Sequence, residues 1–361
     1  MQKGQALRLN KRALARFLAL LVGFGLAAAL LLWLKAAAAG PLSLSLPDKL
    51  QDFITLTLSV VVESLPFVIL GALVSVGIRL FATTQRLIRL LPKRPLPRRL
   101  LISLFGAFMP VCECGNMPVA RGLLIGGMSV AESTTFLLAA PVVNPITLLT
   151  TYQAFSLDPS IVVYRLAGAL VIANLVGGLI ALSKNPLDLV SKGFYNTMCK
   201  IEVDHHHDDH DHHDHHHDDH HHDHHHHSKR WQEGIVIFRD EISLMLKMLC
   251  LGGVIAGLSQ VFVPRDVLTS LGGHPVLSIL AMIILAFVVS LCSNVDAFFA
   301  LAYSTTFTAG SIVAFLIFGP MIDIKMLALM RTTYKTRLLV AMTLVVALSS
   351  ILIGLAVNYA L

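Results

Sequence analysis

Pro110-Val111-Cys112-Glu113-Cys114-Gly115-Asn116-Met117-Pro118, continuing to Pro141-Val142-Val143-Asn144-Pro145, sets thiols, an acid and amides inside apolar helical sequence. A second stretch follows the same plan: Leu291-Cys292-Ser293-Asn294-Val295-Asp296, continuing to Gly319-Pro320-Met321-Ile322-Asp323. Cys112 precedes Pro141 by 29 residues and Cys292 precedes Pro320 by 28; in each copy Asn or Asp follows the proline by three. Helix breakers and polar groups at matched positions of two apolar halves are the sequence signature of a transporter built from internal repeats.

Composition carries the same message. The 361 residues are 55% hydrophobic and 14% charged, with a mean hydropathy of +0.72. Soluble chains carry about 25% charged residues, so this is a polytopic membrane protein. The hydrophilic stretch 184–237 is too short for a large soluble domain. No G-x-x-x-x-G-K-[ST] nucleotide loop occurs, so movement of a substrate would draw on an ion gradient, a partner ATPase or diffusion. Of the five cysteines, Cys112, Cys114, Cys250 and Cys292 lie in apolar surroundings and Cys199 near a histidine tract, which is no secreted disulfide framework. Residues 1–16 are basic and precede the apolar run Phe17–Leu34. That run exceeds the usual 7–15 residues of a signal-peptide core, which favours an uncleaved first helix over a cleaved signal.

Apolar runs long enough to span a bilayer lie near 17–35, 53–78, 131–153, 161–183, 241–263, 308–330 and 338–360. Regions 99–127 and 275–303 hold the cysteine motifs, and Pro110, Gly115 and Pro118 interrupt the first of them. Such backbone is tolerated at membrane depth where it lines a cavity or packs in protein, so both read as broken helices or re-entrant hairpins. The expected fold is all-α, with about eight to nine helical segments. Its parts are an N-terminal membrane helix (1–40), repeat one (51–183), a hydrophilic loop (184–237) and repeat two (238–361). Loop 79–99 carries seven Arg or Lys while 264–275 carries only Arg265; at the other end of the repeat, 154–160 has none while 331–337 has Arg331, Lys335 and Arg337. By the positive-inside rule this swap favours inverted repeats with the loops 79–99 and 184–237 in the cytoplasm. Parallel halves with fully crossing cysteine segments would instead put loop 184–237 outside.

Cysteine thiolates are soft ligands for thiophilic metals and metalloids, and Glu113 and Asn116 are costly at bilayer depth without a use. Cys250, alone in an apolar helix, reads as an ordinary buried residue. The candidate substrate-binding residues are therefore Cys112, Cys114, Asn116, Asn144, Cys292, Asn294, Asp296 and Asp323, with Glu63 and Glu113 as candidate proton-coupling groups. Glu63 and Lys247 occupy loosely equivalent places and read equally as an ion pair or a proton relay. Glu132 and Arg165 read as interfacial. Asp323 and Lys325, two apart, cannot share a helix face. No catalytic residues are expected: there is no H-E-x-x-H helix, and the C-x-C spacing is not the usual C-x-x-C of a thiol oxidoreductase.

Residues 204–227 are 16 His and 8 Asp, which carry −8 of a chain whose net charge is +6. With nothing apolar to fold around, the tract is expected to be disordered. Its imidazoles suit zinc, nickel, cobalt or copper. The candidate ligands are His205, His206, His207, His210, His212, His213, His215, His216, His217, His220, His221, His222, His224, His225, His226 and His227. No obligatory cofactor is expected.

At Glu63-Ser64-Leu65-Pro66-Phe67, Pro110–Asn116, Ala140–Pro145 and Gly319-Pro320-Met321 the chain resembles the predicted-permease family that includes the ArsP organoarsenical exporters. The resemblance covers nearly all of 51–361. It implies an inner-membrane permease of around eight helices, with Cys112, Cys114 and Cys292 matching membrane cysteines thought to bind trivalent organic arsenic. The long His/Asp tract is not a general family feature and points to divalent metals instead. The favoured expectation is a secondary transporter or exporter of a soft metal, metalloid or thiophilic small compound. The alternative is a membrane-anchored divalent-metal sensor or buffer acting through the tract. Expected partners are the bilayer and a small-molecule or ion substrate, with no nucleic acid; homo-oligomerisation is left open.

Overall fold

The computed structural model describes residues 48–80, 91–108, 112–156, 158–198, 226–262 and 274–360. The first apolar run (17–35), Pro110, Cys199 and histidines 205–225 lie outside the described residues; His226 and His227 begin a helix. Among the described residues the secondary structure is helical, and its one β pairing is an isolated bridge between Val190 and Tyr334. Six segments among them are long and apolar enough to cross a membrane: Lys49–Gly77, Val130–Ala154, Ser160–Ala181, Gly234–Val261, Ala309–Met330 and Thr336–Tyr359.

In chain order the helices are α1 (Asp48–Leu80), α2 (Pro95–Ser103), α3 (Glu113–Ile125), α4 (Val130–Val143), α5 (Pro145–Ala154) and α6 (Ser160–Ala181). After the loop come α7 (His226–Phe262), α8 (Leu277–Val289), α9 (Asp296–Leu301), α10 (Ala309–Met321), α11 (Ile324–Met330) and α12 (Thr336–Ala360). Two spans are broken near their middles. Asn144 ends α4 and caps α5, its side chain accepting from Ile146 N. Asp323 caps α11 just beyond the end of α10, accepting from Met326 N. These broken spans are also the central ones: the Val130–Ala154 and Ala309–Met330 windows are 72% and 78% buried, against 22–44% for the four outer spans.

The helices of the cysteine segments are short. α2 and α3 have 9 and 13 residues, or about 14 and 20 Å at 1.5 Å per residue, short of a hydrocarbon core about 30 Å thick. The first hairpin starts where Arg98 Nε meets Glu132 Oε1 at 2.7 Å. It runs inward to Ser103, whose Oγ accepts from Asn174 Nδ2 at 3.2 Å. The described chain resumes at Cys112 and runs along α3 to Ser129, which caps α4 in a reciprocal capping box with Glu132. Entry and exit lie at the same end of the molecule. The second hairpin starts where Ser278 Oγ meets Thr308 Oγ1 at 3.1 Å, turns at Cys292, and returns along α9 to Thr308, the cap of α10.

The two hairpins enter from opposite ends. α12 begins beside the first hairpin's end, with Lys335 N donating to Leu189 O just after α6. It finishes beside the second's, where Asn358 Oδ1 accepts from Gly310 N at 2.8 Å. The outer helices α1 and α7 run antiparallel: a Cβ at Gly253 would lie 3.0 Å from Val61, and one at Gly257 would overlap Thr57. Arg98, Arg99, Arg121, Arg331, Lys335 and Arg337 all gather at the end where the first hairpin enters. On α12, Val340, Leu344, Leu348 and Leu352 form an outward apolar stripe at a spacing of four, as a lipid-facing helix requires.

Candidate functional site

The hairpin tips meet in the core, and they are built alike. Cys112 carbonyl oxygen accepts from Gly115 N and Asn116 N at 3.1 and 3.2 Å; Cys292 carbonyl oxygen accepts from Val295 N and Asp296 N at 3.0 and 3.1 Å. Ser290, just before the second tip, adopts the left-handed backbone at φ 51. Tight first turns of this kind place Cys112 at the start of α3 and Cys292 just ahead of α9. The Cys112 and Cys292 thiols come together across the two tips. Ligand atoms of Cys112, Glu113 and Cys292 all lie within 4.8 Å of one another, and all three residues are buried. Cys114 donates to Ser64 Oγ on α1 at 3.5 Å.

A charged cluster adjoins the thiols on the α11 side. Glu113, fully buried, accepts from Lys325 Nζ at 2.8 Å through Oε1. Its Oε2 accepts from Ser293 N and Oγ at 3.3 and 3.1 Å. Lys325 Nζ also lies 3.7 Å from Asp323 Oδ2. The helix-face expectation for Asp323 and Lys325 fails because Asp323 stands outside the helix, in extended backbone at φ −137 and ψ 174. A cap and the second residue of its helix can then turn toward the same ammonium. Glu63, exposed on α1, lies within electrostatic range of Lys325 and Glu113. Lys247 is exposed, and it is Lys325 that faces Glu63.

A second cluster adjoins the tips on the α5 side. Arg165 is fully buried and makes a two-pronged pair with Asp296, at 3.0 and 2.6 Å, while donating to Thr151 Oγ1 at 2.7 Å. Thr147 Oγ1 donates to Asn294 Oδ1 at 3.1 Å. Arg165 is therefore not interfacial. Six residues into α6, it extends a planar fork into the core, where a bidentate carboxylate compensates it. Glu132 does sit at the end of the molecule, paired with Arg98.

The structure thus brings Cys112, Cys114, Cys292, Glu113, Asp323 and Glu63 into one neighbourhood, and Asn294 and Asp296 into the adjoining one. Asn116 is buried on the first turn of α3, and Asn144 is buried at the α4–α5 break. Cys250 is exposed on α7 rather than buried. Ser64, Ser293, Thr147 and Thr151 were not anticipated as polar partners. Thr147 and Thr151 carry a readable signal, a pair four apart on an apolar helix, which puts both hydroxyls on one face.

A family model described as a predicted permease matches residues 49–359. The chain belongs to this predicted-permease family. It is 34% identical over 299 residues to UPF0718 protein YcgR of Bacillus subtilis, an alignment covering 82% of this chain and 94% of that one. It is 32% identical over 295 residues to a putative two-component membrane permease complex subunit of Streptococcus mutans, covering 81% and 90%. No solved structure matches it. This permease is accordingly a multi-pass protein of the plasma membrane. Its family points to transport rather than catalysis.

The tip arrangement has a definite chemical capacity. Thiols from two hairpins can close on one soft centre only when both tips are in contact. Among the described tip residues, Cys112, Glu113, Cys292 and Ser293 are buried in protein, which suits irregular backbone at membrane depth.

Proposed function

We propose that this permease is a secondary transporter or exporter of a soft metal, metalloid or thiophilic small compound, held between the tips by Cys112, Cys292 and Cys114. The observation carrying this reading is the meeting of two cysteines 180 positions apart, with Glu113, inside a 4.8 Å cluster. Soft thiolate donors favour soft cargo over hard cations such as magnesium or calcium. Glu113, Lys325 and Glu63 form the proton-coupling set: each charge there changes its balance when a cationic cargo arrives or leaves. Asn116, Asn144, Asn294, Asp296 and Asp323 supply the polar lining at the helix breaks.

The halves act as inverted repeats in this reading. Support comes from counterparts that meet: Cys112 with Cys292, and Glu113 with Ser293. Equivalent residues meet only on a symmetry axis. The antiparallel pairing of α1 with α7 favours an axis lying in the membrane plane. The basic end is then cytoplasmic, and the His/Asp tract lies on that side, where it gathers zinc, nickel, cobalt or copper near the permease.

Uptake into everted vesicles tests the cargo. Accumulation of at least one of trivalent arsenicals, zinc, nickel or copper is expected, and Cys112→Ser with Cys292→Ser should lower it at least tenfold. Silence across the whole panel removes the soft-cargo reading; full transport by the double variant removes the ligand assignment. Deleting 204–225 should retune transport rather than abolish it. A tract that binds metal on a membrane domain that moves nothing would favour the sensor or buffer.

A further inference from the structure

We propose that the basic end of the bundle holds a specific site for the phosphoryl head group of an anionic phospholipid. Arg331, Tyr334, Lys335, Thr336 and Arg337, with Ser191 from the strap after α6, line a cavity of about 570 Å³. Three cations converge there, and no carboxylate belongs to the lining. Asp188, on the same strap, is exposed and outside it.

Topology alone would ask for basic residues at this end, but not for a framed cavity. Ser191 N donates to Thr333 O at 2.8 Å, and Lys335 N to Leu189 O at 2.9 Å, so two segments are stitched across the Val190–Tyr334 bridge. Ser191 Oγ adds a bond to Thr332 O at 3.1 Å. The Arg331 guanidinium donates to Thr336 Oγ1, which fixes the planar fork at the cavity wall. Thr336 is also the first residue of α12, a helix with no acidic residue in its first turn. Its unpaired amide groups add partial positive charge to that of the three side chains.

The choice of a lipid over a soluble phosphate comes from what lies below. Thr336 heads the series Val340, Leu344, Leu348 and Leu352, which are 54–66% exposed along one face of α12. A head group in the cavity would therefore drop its acyl chains onto a continuous apolar track. Basic pockets at helix ends on the cytoplasmic side are suited to anionic head groups.

This site is wired to the thiol centre. Arg121, on α3 eight residues beyond Glu113, donates to Thr332 O and Oγ1 and to Thr333 Oγ1 at 3.4, 3.2 and 3.0 Å. Arg331 follows the helix that carries Lys325. An occupied pocket thus steadies both helices that make the Glu113–Lys325 pair.

Native mass spectrometry of the full chain in detergent, titrated with phosphatidylglycerol, phosphatidylcholine, glycerol 3-phosphate and inorganic phosphate, tests the site. Phosphatidylglycerol should be retained at least tenfold more tightly than phosphatidylcholine and than either soluble phosphate. The triple variant R331Q/K335Q/R337Q should lose that preference, and the exposed Arg337→Gln alone should weaken it several-fold. Arg239→Gln, an exposed cation elsewhere on α7, should leave it unchanged. Equal retention of the two lipids, or a preference untouched by Arg337→Gln, overturns the site. Tighter binding of the soluble phosphates than of the lipid overturns the lipid assignment in favour of a phosphate sensor.

Discussion

At the scale of single residues, the buried ion pairs carry the clearest consequences. Glu113 and Lys325 are 0% and 2% exposed, with two of the carboxylate's bonds supplied by Ser293. Removing one partner of such a pair leaves an uncompensated buried charge and costs about 3–5 kcal/mol, whereas replacing both is far cheaper. Glu113→Gln or Lys325→Met alone should therefore sharply lower the unfolding midpoint in detergent, and the double variant should recover much of the loss. If the losses simply add, the two side chains are not coupled. The ionisable residues were legible as outliers in apolar sequence; their pairing was not. Spacing along the chain suggested Glu63 with Lys247, but the actual partner of Glu113 is Lys325 and that of Arg165 is Asp296, 212 and 131 residues away. Only the fold supplies those distances.

At the scale of elements, glycine decides how closely the first tip is approached. A Cβ at Gly71 would overlap the carbonyl oxygen of Gly115, a backbone atom with no rotamer to yield. Gly71→Ala should push α1 away from α3, pull Ser64 off Cys114 and reduce folded yield in size-exclusion profiles. Gly77→Ala meets nothing within 4 Å and should fold normally, with a gain of up to about 1 kcal/mol from helix propensity. The two capped breaks offer a matched pair. Asn144→Ala removes the bond to Ile146 N and should cost about 1 kcal/mol as a lost cap. Asp323→Ala should cost more, because Lys325 loses a carboxylate with it. Both breaks were readable from the Pro-x-x-Asn and Pro-x-x-Asp spacing. What the spacing could not give was that each side chain folds back as a cap, since that depends on the extended backbone at the break.

At the scale of the whole molecule, the contacts separate its two ends. Introduced cysteines at 192 and 335, in a background lacking native cysteines, should react with impermeant thiol reagents from one side only, and those at 158 and 274 from the other. Labelling of 192 and 335 from opposite sides would remove the inverted arrangement. Apolar runs gave the six described spans to within four residues, except the start of Gly234–Val261, which lies seven residues before the expected 241, because length and hydropathy decide what is long and apolar enough to cross a bilayer. The courses of 95–108, 112–125 and 277–301 needed more. Their hydropathy resembles that of spans, and only pairing such as Arg98 with Glu132 reveals that the chain turns back.

The cross-half pairing also has a consequence for how the chain is made. Arg165 waits for Asp296 across 131 residues, and Glu113 waits for Lys325 across 212. At a synthesis rate of about 5–20 residues per second, the first half sits in the insertion machinery for roughly 7–40 seconds with two charges unmatched. Nascent chains of this permease are therefore exposed to quality-control proteases until the last third is translated. A truncated product ending before Asp296 carries its own degradation signal.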